Sequence, residues 1–319
     1  MKTYKLAFAA LVGLQVLSAW AGQWTYDSET ATLAHDTSDW VLDVSQDSTN
    51  LTITGVSLYP GEPADLPLGD PTPGYALVSI GHDAFADCGS LASVAIPNGV
   101  TNIGNYAFSD CYSLRSVAIP DSVTIVGDRA FTYCFDLASV TISDGVTSIG
   151  DYVFSYCEHL DSVAIGNGIT NIGDYAFSDC GSLASITVHP DNPAYADRDG
   201  VLFNKDVTVL IQYPCGRSGD YSVPDGVTAI GHDAFSGCAS LASVAIPDSV
   251  TNIGDYALAW CGSLASVTVH PDNPVYADRD GVLFTKGITV LIQCPCGRSG
   301  GYSVPDGVTA IGHDAFSGC

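Results

Sequence analysis

Cys88, Cys111, Cys134, Cys157 and Cys180 follow one another at intervals of 23 residues, each inside a unit of the form IGNYAFSDCYSLRSVAIPDSVTI. A strict period of this length means that each unit is one supersecondary element, which cannot bury its apolar face alone and must stack on its neighbours. Within a unit, Leu91, Val94 and Ile96 mark a short strand, which Pro97 and Gly99 end. Val100, Ile103, Ala107 and Phe108 then bring the chain back with apolar residues inward, and Gly104 is expected to allow a tight backbone turn. Stacked copies would place the strands about 4.8 Å apart in a parallel sheet. Its outward positions, Ala92, Ser93, Ala95, Arg115, Ser116 and Ala118, are small and bland apart from the arginine.

The same frame resumes at Ile230, Ile253 and Ile311, but Cys180 to Cys238 and Cys261 to Cys319 each span 58 residues. The added segment is nearly identical both times. HPDNPAYADRDGVLF from His189 recurs as HPDNPVYADRDGVLF from His270, and PCGRSG recurs from Pro214 and Pro295. The chain therefore divides into a leader over 1–21, an N-terminal cap with a Pro/Gly-rich linker over 22–79, and a repeat domain over 80–319. Long 58-residue units occupy 172–229 and 253–310, and the final repeat is truncated. The leader reads as a signal peptide: Lys2 and Lys5 precede an apolar run from Leu6, with Ala19 and Ala21 at a small-x-small cleavage site. The run is short for a bilayer span, and no transmembrane segment is expected in the mature chain. Localisation is thus expected to be secreted, extracellular or at the cell surface.

The units IGHDAFADCGSLASVAIPNGVTN and IGHDAFSGCASLASVAIPDSVTN resemble the BspA-like, Treponema pallidum-type leucine-rich repeats of bacterial surface proteins, as does the inserted NPxYxxxDGVLF. The resemblance covers about residues 78–319. It implies a repeat solenoid, a curved right-handed leucine-rich repeat superhelix with short parallel strands on the concave face, β-hairpin inserts and a β-rich N-terminal cap. It also implies adhesion or host and matrix binding in some members, and no catalytic residues.

Charge narrows the partners. Ten Lys and Arg against 35 Asp and Glu give a formal charge of −25, which repels phosphate backbones, so no nucleic acid partner is expected. The eleven cysteines are odd in number. Eight of them, Cys88, Cys111, Cys134, Cys157, Cys180, Cys238, Cys261 and Cys319, share one repeat position beside core Phe and Leu, which favours a ladder of buried free thiols. Neighbouring coils would still bring their Cα atoms to about 5 Å, so occasional bridges stay open. Cys294-Pro-Cys296 has no second pair at zinc-ligand spacing. Asp197-Arg-Asp199-Gly200 and Asp278-Arg-Asp280-Gly281 fail the EF-hand frame and read as turns into hairpins. His82-Asp83, His232-Asp233 and His313-Asp314 occupy ordinary repeat positions, and repetition along a rod does not converge on one nucleophile. No enzyme motif, metal site or cofactor is expected.

The ligand-binding candidates are aromatic. Tyr106, Tyr152, Tyr175 and Tyr256 share one repeat position, and Tyr195 and Tyr276 sit in the inserts. The expected function is a binding or adhesion module for an extracellular protein or glycan. The alternative is a structural envelope or surface-layer spacer with loose cation binding and self-association through an uncapped C-terminal repeat.

Overall fold

The computed structural model describes residues 24–35, 40–58, 64–68 and 75–319; the expected signal peptide lies outside them. Among these residues the secondary structure is strand and turn, without helix. The N-terminal strands β1 (Trp24–Asp27), β2 (Thr32–His35), β3 (Val41–Asp47) and β4 (Asn50–Leu58) form an antiparallel meander. The free edge of β4 pairs in parallel with Ala76–Ile80, the first short strand of the repeats. The meander therefore covers what would be an open sheet edge, and Trp24, Trp40 and Leu42 close the end of the core.

From there each coil contributes to two parallel ladders. Long strands at Leu91–Ala95, Ser116–Ile119, Ser139–Ile142, Ser162–Ile165 and Ser185–Val188 stack with equivalent residues opposed, as in Val117↔Val140 and Val140↔Val163. Two-residue strands at Asn102–Ile103, Ile125–Val126, Ser148–Ile149 and Asn171–Ile172 make the second ladder. Part of the segment from Pro60 to Gly74, expected to be a loop or linker, is strand. Ala64–Pro67 joins the long ladder beside Leu91–Ala95, because Leu66 and Leu68 alternate into the core, and Pro67 is tolerated on an edge strand.

Between the ladders the core repeats residue by residue. Phe85, Phe108, Phe131, Phe154 and Phe177 stack in one column with centroids 5.1, 5.1, 5.5 and 5.8 Å apart and planes within 9° of parallel. From the second coil of the column on, each buried thiol beside them donates to the carbonyl of the phenylalanine one coil back, as from Cys111 to Phe85 at 3.2 Å and from Cys134 to Phe108 at 3.3 Å. Burial raises these thiols, Cys88 and Cys180 to about 12, and so keeps them protonated and unreactive. Gly104 opens the expected turn, its carbonyl accepting the Ala107 N–H at 3.3 Å, but its lack of a side chain serves a different end. A Cβ there would lie 2.6 Å from the backbone of Gly81, so glycine is needed for the approach of one coil to the next.

The inserts are three-stranded. Tyr195–Arg198 and Val201–Asn204 form a hairpin closed by Asp199-Gly200, both at positive φ (51° and 74°), the signature of a type I′ turn. Asp197 does not turn the chain; its Oδ1 accepts the Val188 N–H at 2.8 Å and pins the hairpin to the last long strand of the first block. Leu202 joins the core of that block, while Val201 and Phe203 join the next, so the hairpin cements the two. Val209–Gln212 then returns to the short-strand ladder, opposing Val209 to Ala229 at a step of 20 residues where the regular coils step by 23. The three missing residues come from the turn before the cysteine.

That shortened coil corrects the reading of the cysteines. Cys215 takes the ladder position beside Cys238 and Cys296 takes that beside Cys319, with Cα atoms 4.2 and 4.3 Å apart, and both pairs are disulfides. Cys238 and Cys319 are therefore not free thiols, whereas Cys88, Cys111, Cys134, Cys157, Cys180 and Cys261 are.

Candidate binding face

The third side of each coil, between the short strand and the cysteine, is a turn with two residues in the left-handed region. The first row is Asp83, Tyr106, Arg129, Tyr152, Tyr175, Asp233, Tyr256 and Asp314, with φ between 52° and 60°. The second, four residues on, is Asp87, Asp110, Tyr133, Tyr156, Asp179, Gly237, Trp260 and Gly318. A left-handed residue closes an i to i+3 bond, as from Ser109 N–H to the Tyr106 carbonyl at 3.0 Å, and turns the chain within the length of a coil. Asp and Gly suit that conformation; Tyr and Trp do not.

Over the first four coils the two rows line an open groove of ≈ 470 Å³. Arg129 interrupts the tyrosine row and completes it. Its guanidinium donates to the Tyr106 hydroxyl and lies 4.7 Å from the Tyr152 centroid, and Tyr152 stacks on Tyr175 at 4.6 Å and 1°. In the second row Tyr133 stacks on Tyr156 at 4.7 Å, and Tyr112 stacks on Phe135 alongside at 5.3 Å. Tyr112, Tyr133 and Tyr156 are 44%, 37% and 38% exposed, more than half-buried rings of a packed ladder need to be. A second depression of ≈ 420 Å³ shares Tyr156 and runs on past Glu158 and Asp179 to Gly237.

The phenols of Tyr112, Tyr156 and Tyr175 remain neutral at physiological pH. The hydrogen bond to Asp110 raises Tyr112, the charge of Asp179 raises Tyr156, and burial beside Asp233 pushes Tyr175 up to about 12. Arg129 is raised by its bond to Tyr106 and keeps its charge. Hydroxyls, carboxylates and one guanidinium therefore face the groove.

Of the tyrosines expected to bind ligand, Tyr106, Tyr152 and Tyr175 come together here. Tyr256 lies on the same row but beyond the shortened coil, edge-on to His313 at 5.6 Å. Tyr195 and Tyr276 are elsewhere and are structural. Tyr195 is half-buried and Tyr276 is 8% exposed; the Tyr195 hydroxyl accepts the N–H of Ile172 at 2.9 Å and the Tyr276 hydroxyl that of Ile253 at 3.0 Å, each 23 residues earlier. In a regular coil a backbone carbonyl would take that donor; the insert diverts the backbone, and the phenol substitutes for it. The neighbouring Asn192 is fully buried, donates to the Gly166 and Ile169 carbonyls and accepts from Ala194 and Tyr195 N–H, so all its polar capacity serves the insert. Sequence reading missed Tyr133, Tyr156 and Trp260. The available signal was an aromatic residue where other coils carry Asp or Gly.

A profile of the BspA type leucine rich repeat region matches residues 78–195 and 213–278 in six copies. The chain belongs to this family. The gap between the two matched stretches of the BspA-type repeat is filled by the hairpin and returning strand of the first insert. Among solved structures, a leucine rich cell surface protein from Faecalibacterium prausnitzii A2-165 is 26% identical over 97% of this chain and 87% of its own, with a TM-score of 0.47. The pneumococcal vaccine antigen PcpA is 17% identical over 89% and 78%, at 0.58. A leucine-rich repeat protein from Eubacterium ventriosum is 21% identical over 92% and 94%, at 0.52. The last two share the fold with this BspA-type chain. No curated protein matches it. No helix among the described residues is long and apolar enough to cross a membrane.

Proposed function

We propose that the chain is a recognition module carried outside the cell, and that the aromatic turn face holds an extracellular protein or glycan. One observation carries this reading. At a left-handed position where Asp87, Asp110, Asp179, Gly237 and Gly318 satisfy the backbone, three coils instead carry Tyr133, Tyr156 and Trp260, all exposed. A bulky residue there costs on the order of 1 kcal/mol against glycine, and the rings recover only part of that by stacking. Strain kept at a surface position is a mark of function, and Tyr, Trp and Arg are the residues that dominate recognition surfaces. Membership of the BspA type and the expected leader at 1–21 support a place outside the cell. No chemistry is assigned to the chain itself.

The experiment is a binding screen of the mature chain on extracellular proteins and glycans, with and without calcium, beside the variant Tyr133→Ser/Tyr156→Ser. Serine keeps a hydroxyl and removes the stacked pair. A saturable ligand lost in the variant is the expected result. Calcium-dependent assembly of the chain with no array ligand would favour the envelope-spacer reading instead.

A further inference from the structure

Resting on that reading of the turn face, we infer that its ligand is an extended protein segment bearing lysine or arginine, and that the face is not a sugar platform. Pyranose rings bind aromatic side chains through an open ring face, and in the groove ring faces are taken up by stacking. Tyr133 and Tyr156 each give one face to the other, Tyr152 lies between the Arg129 guanidinium and the Tyr175 ring, and Tyr112 lies between Phe135 and Gly89, whose Cβ would come within 3.1 Å of its ring. What reaches solvent is ring edge and phenol hydroxyl, flanked by carboxylates. Asp87 and Asp110 stand at one end of the groove, Glu158 and Asp179 at the other.

Arg129 already displays the chemistry. A guanidinium sits between two rings one coil apart, donating to one hydroxyl and lying over the next ring, in a chain whose net charge of −25 draws cations to its surface. Arg129 is engaged by its own row; in the second row the Asp110 carboxylate accepts from the Ser109 and Tyr112 hydroxyls and the Asp179 carboxylate from Ser178, neutral donors that do not cancel the charge offered to a partner's cations. Asp110 and Asp179 are three coils apart, about 14 Å at the spacing of parallel strands, close to the about 13 Å between every fourth residue of an extended chain. Both residues sit at positive φ, where Asn is tolerated nearly as well as Asp, so the carboxylates are removable without refolding the turn.

The test uses the mature chain and a labelled Ser-Gly peptide with lysine at every fourth position, titrated at low and physiological salt, with cellohexaose as a second probe. Asp110→Asn/Asp179→Asn is expected to weaken the peptide about tenfold. Asp121→Asn/Asp248→Asn, the same charge change on exposed turns away from the groove, is expected to change affinity less than about twofold. Equal losses in the two variants would reduce the attraction to a general charge effect and overturn the inference. Absence of peptide binding would overturn it too. Cellohexaose binding that is lost in Tyr133→Ser/Tyr156→Ser would sink the inference while leaving recognition at this face intact; failure of the face itself is read separately, from array ligands that bind that variant unchanged.

Discussion

Phe131→Ala should open the solenoid locally rather than weaken it everywhere. Phe131 is fully buried, 5.1 Å from Phe108 and 5.5 Å from Phe154, with both faces in contact. Truncating such a side chain removes its transfer free energy and leaves a cavity that the coils, tied by ladders on two sides, are poorly placed to collapse; the cost is about 3–5 kcal/mol. A repeat array is stabilised by coil-to-coil interfaces, so the loss falls on the two interfaces Phe131 shares. A single two-state unfolding curve would average it away. Native-state hydrogen exchange resolves it: the amides of Phe108, Phe131 and Phe154, which bond to Ala130, Val153 and Ala176, should exchange at least about a hundredfold faster. Amides of the long strand Leu241–Ile246 should change by less than about 0.5 kcal/mol. Phe131→Leu should cost no more than about 1.5 kcal/mol, since Leu258 fills the equivalent place in a later coil. A local loss under about 1 kcal/mol, or the same loss at both sites, would refute the column as a source of coil-to-coil stability.

Three further expectations follow from the insert and the cysteines. Tyr195→Phe strips the acceptor from the Ile172 N–H and should cost about 1–3 kcal/mol, read as faster exchange of that amide; unchanged exchange would mean water replaces the phenol freely. Asp233 is 95% removed from solvent by its neighbours, and burial raises it to about 6 even though Tyr175 and Ser236 donate to it. Its folded value lies above the unfolded one. The stability it lends is full below pH about 4 and is lost as pH rises to about 6. Asp233→Asn should flatten that slope and stabilise the chain at neutral pH, and a slope unchanged in thermal melts would assign the effect to another group. Reducing Cys215–Cys238, which closes 23 residues, should cost about 3 kcal/mol around Phe235 with the first block unaffected; a loss shared by Phe108 and Phe131 would show that the blocks unfold together.

The coil was legible because one residue pattern recurs under one physical demand: Val117, Phe108 and Cys111 each meet their own copies, so inward positions repeat without variation. The shortened coil was not, because Cys215 and Cys296, though each stands 23 residues before a ladder cysteine, follow an insert and lack the Ile-Gly-x-x-Ala-Phe frame that marks the other coils, and only the return of Val209–Gln212 to the ladder shows that they sit beside Cys238 and Cys319. The insert tyrosines misled for a related reason. A phenol that replaces a backbone acceptor looks, in sequence, like any other tyrosine in a polar loop. Tyr133 and Tyr156 were hidden by the opposite effect, since departures from a repeat read as drift until the fold sets them side by side over a groove.

Hydroxyl-radical footprinting of the mature chain, with and without the lysine-bearing peptide at saturation, tests the central claim most directly. Protection of Tyr112, Tyr133 and Tyr156 with Tyr302 unchanged is the predicted result, and protection confined to other surfaces, or none at saturation, would contradict the assignment of this face.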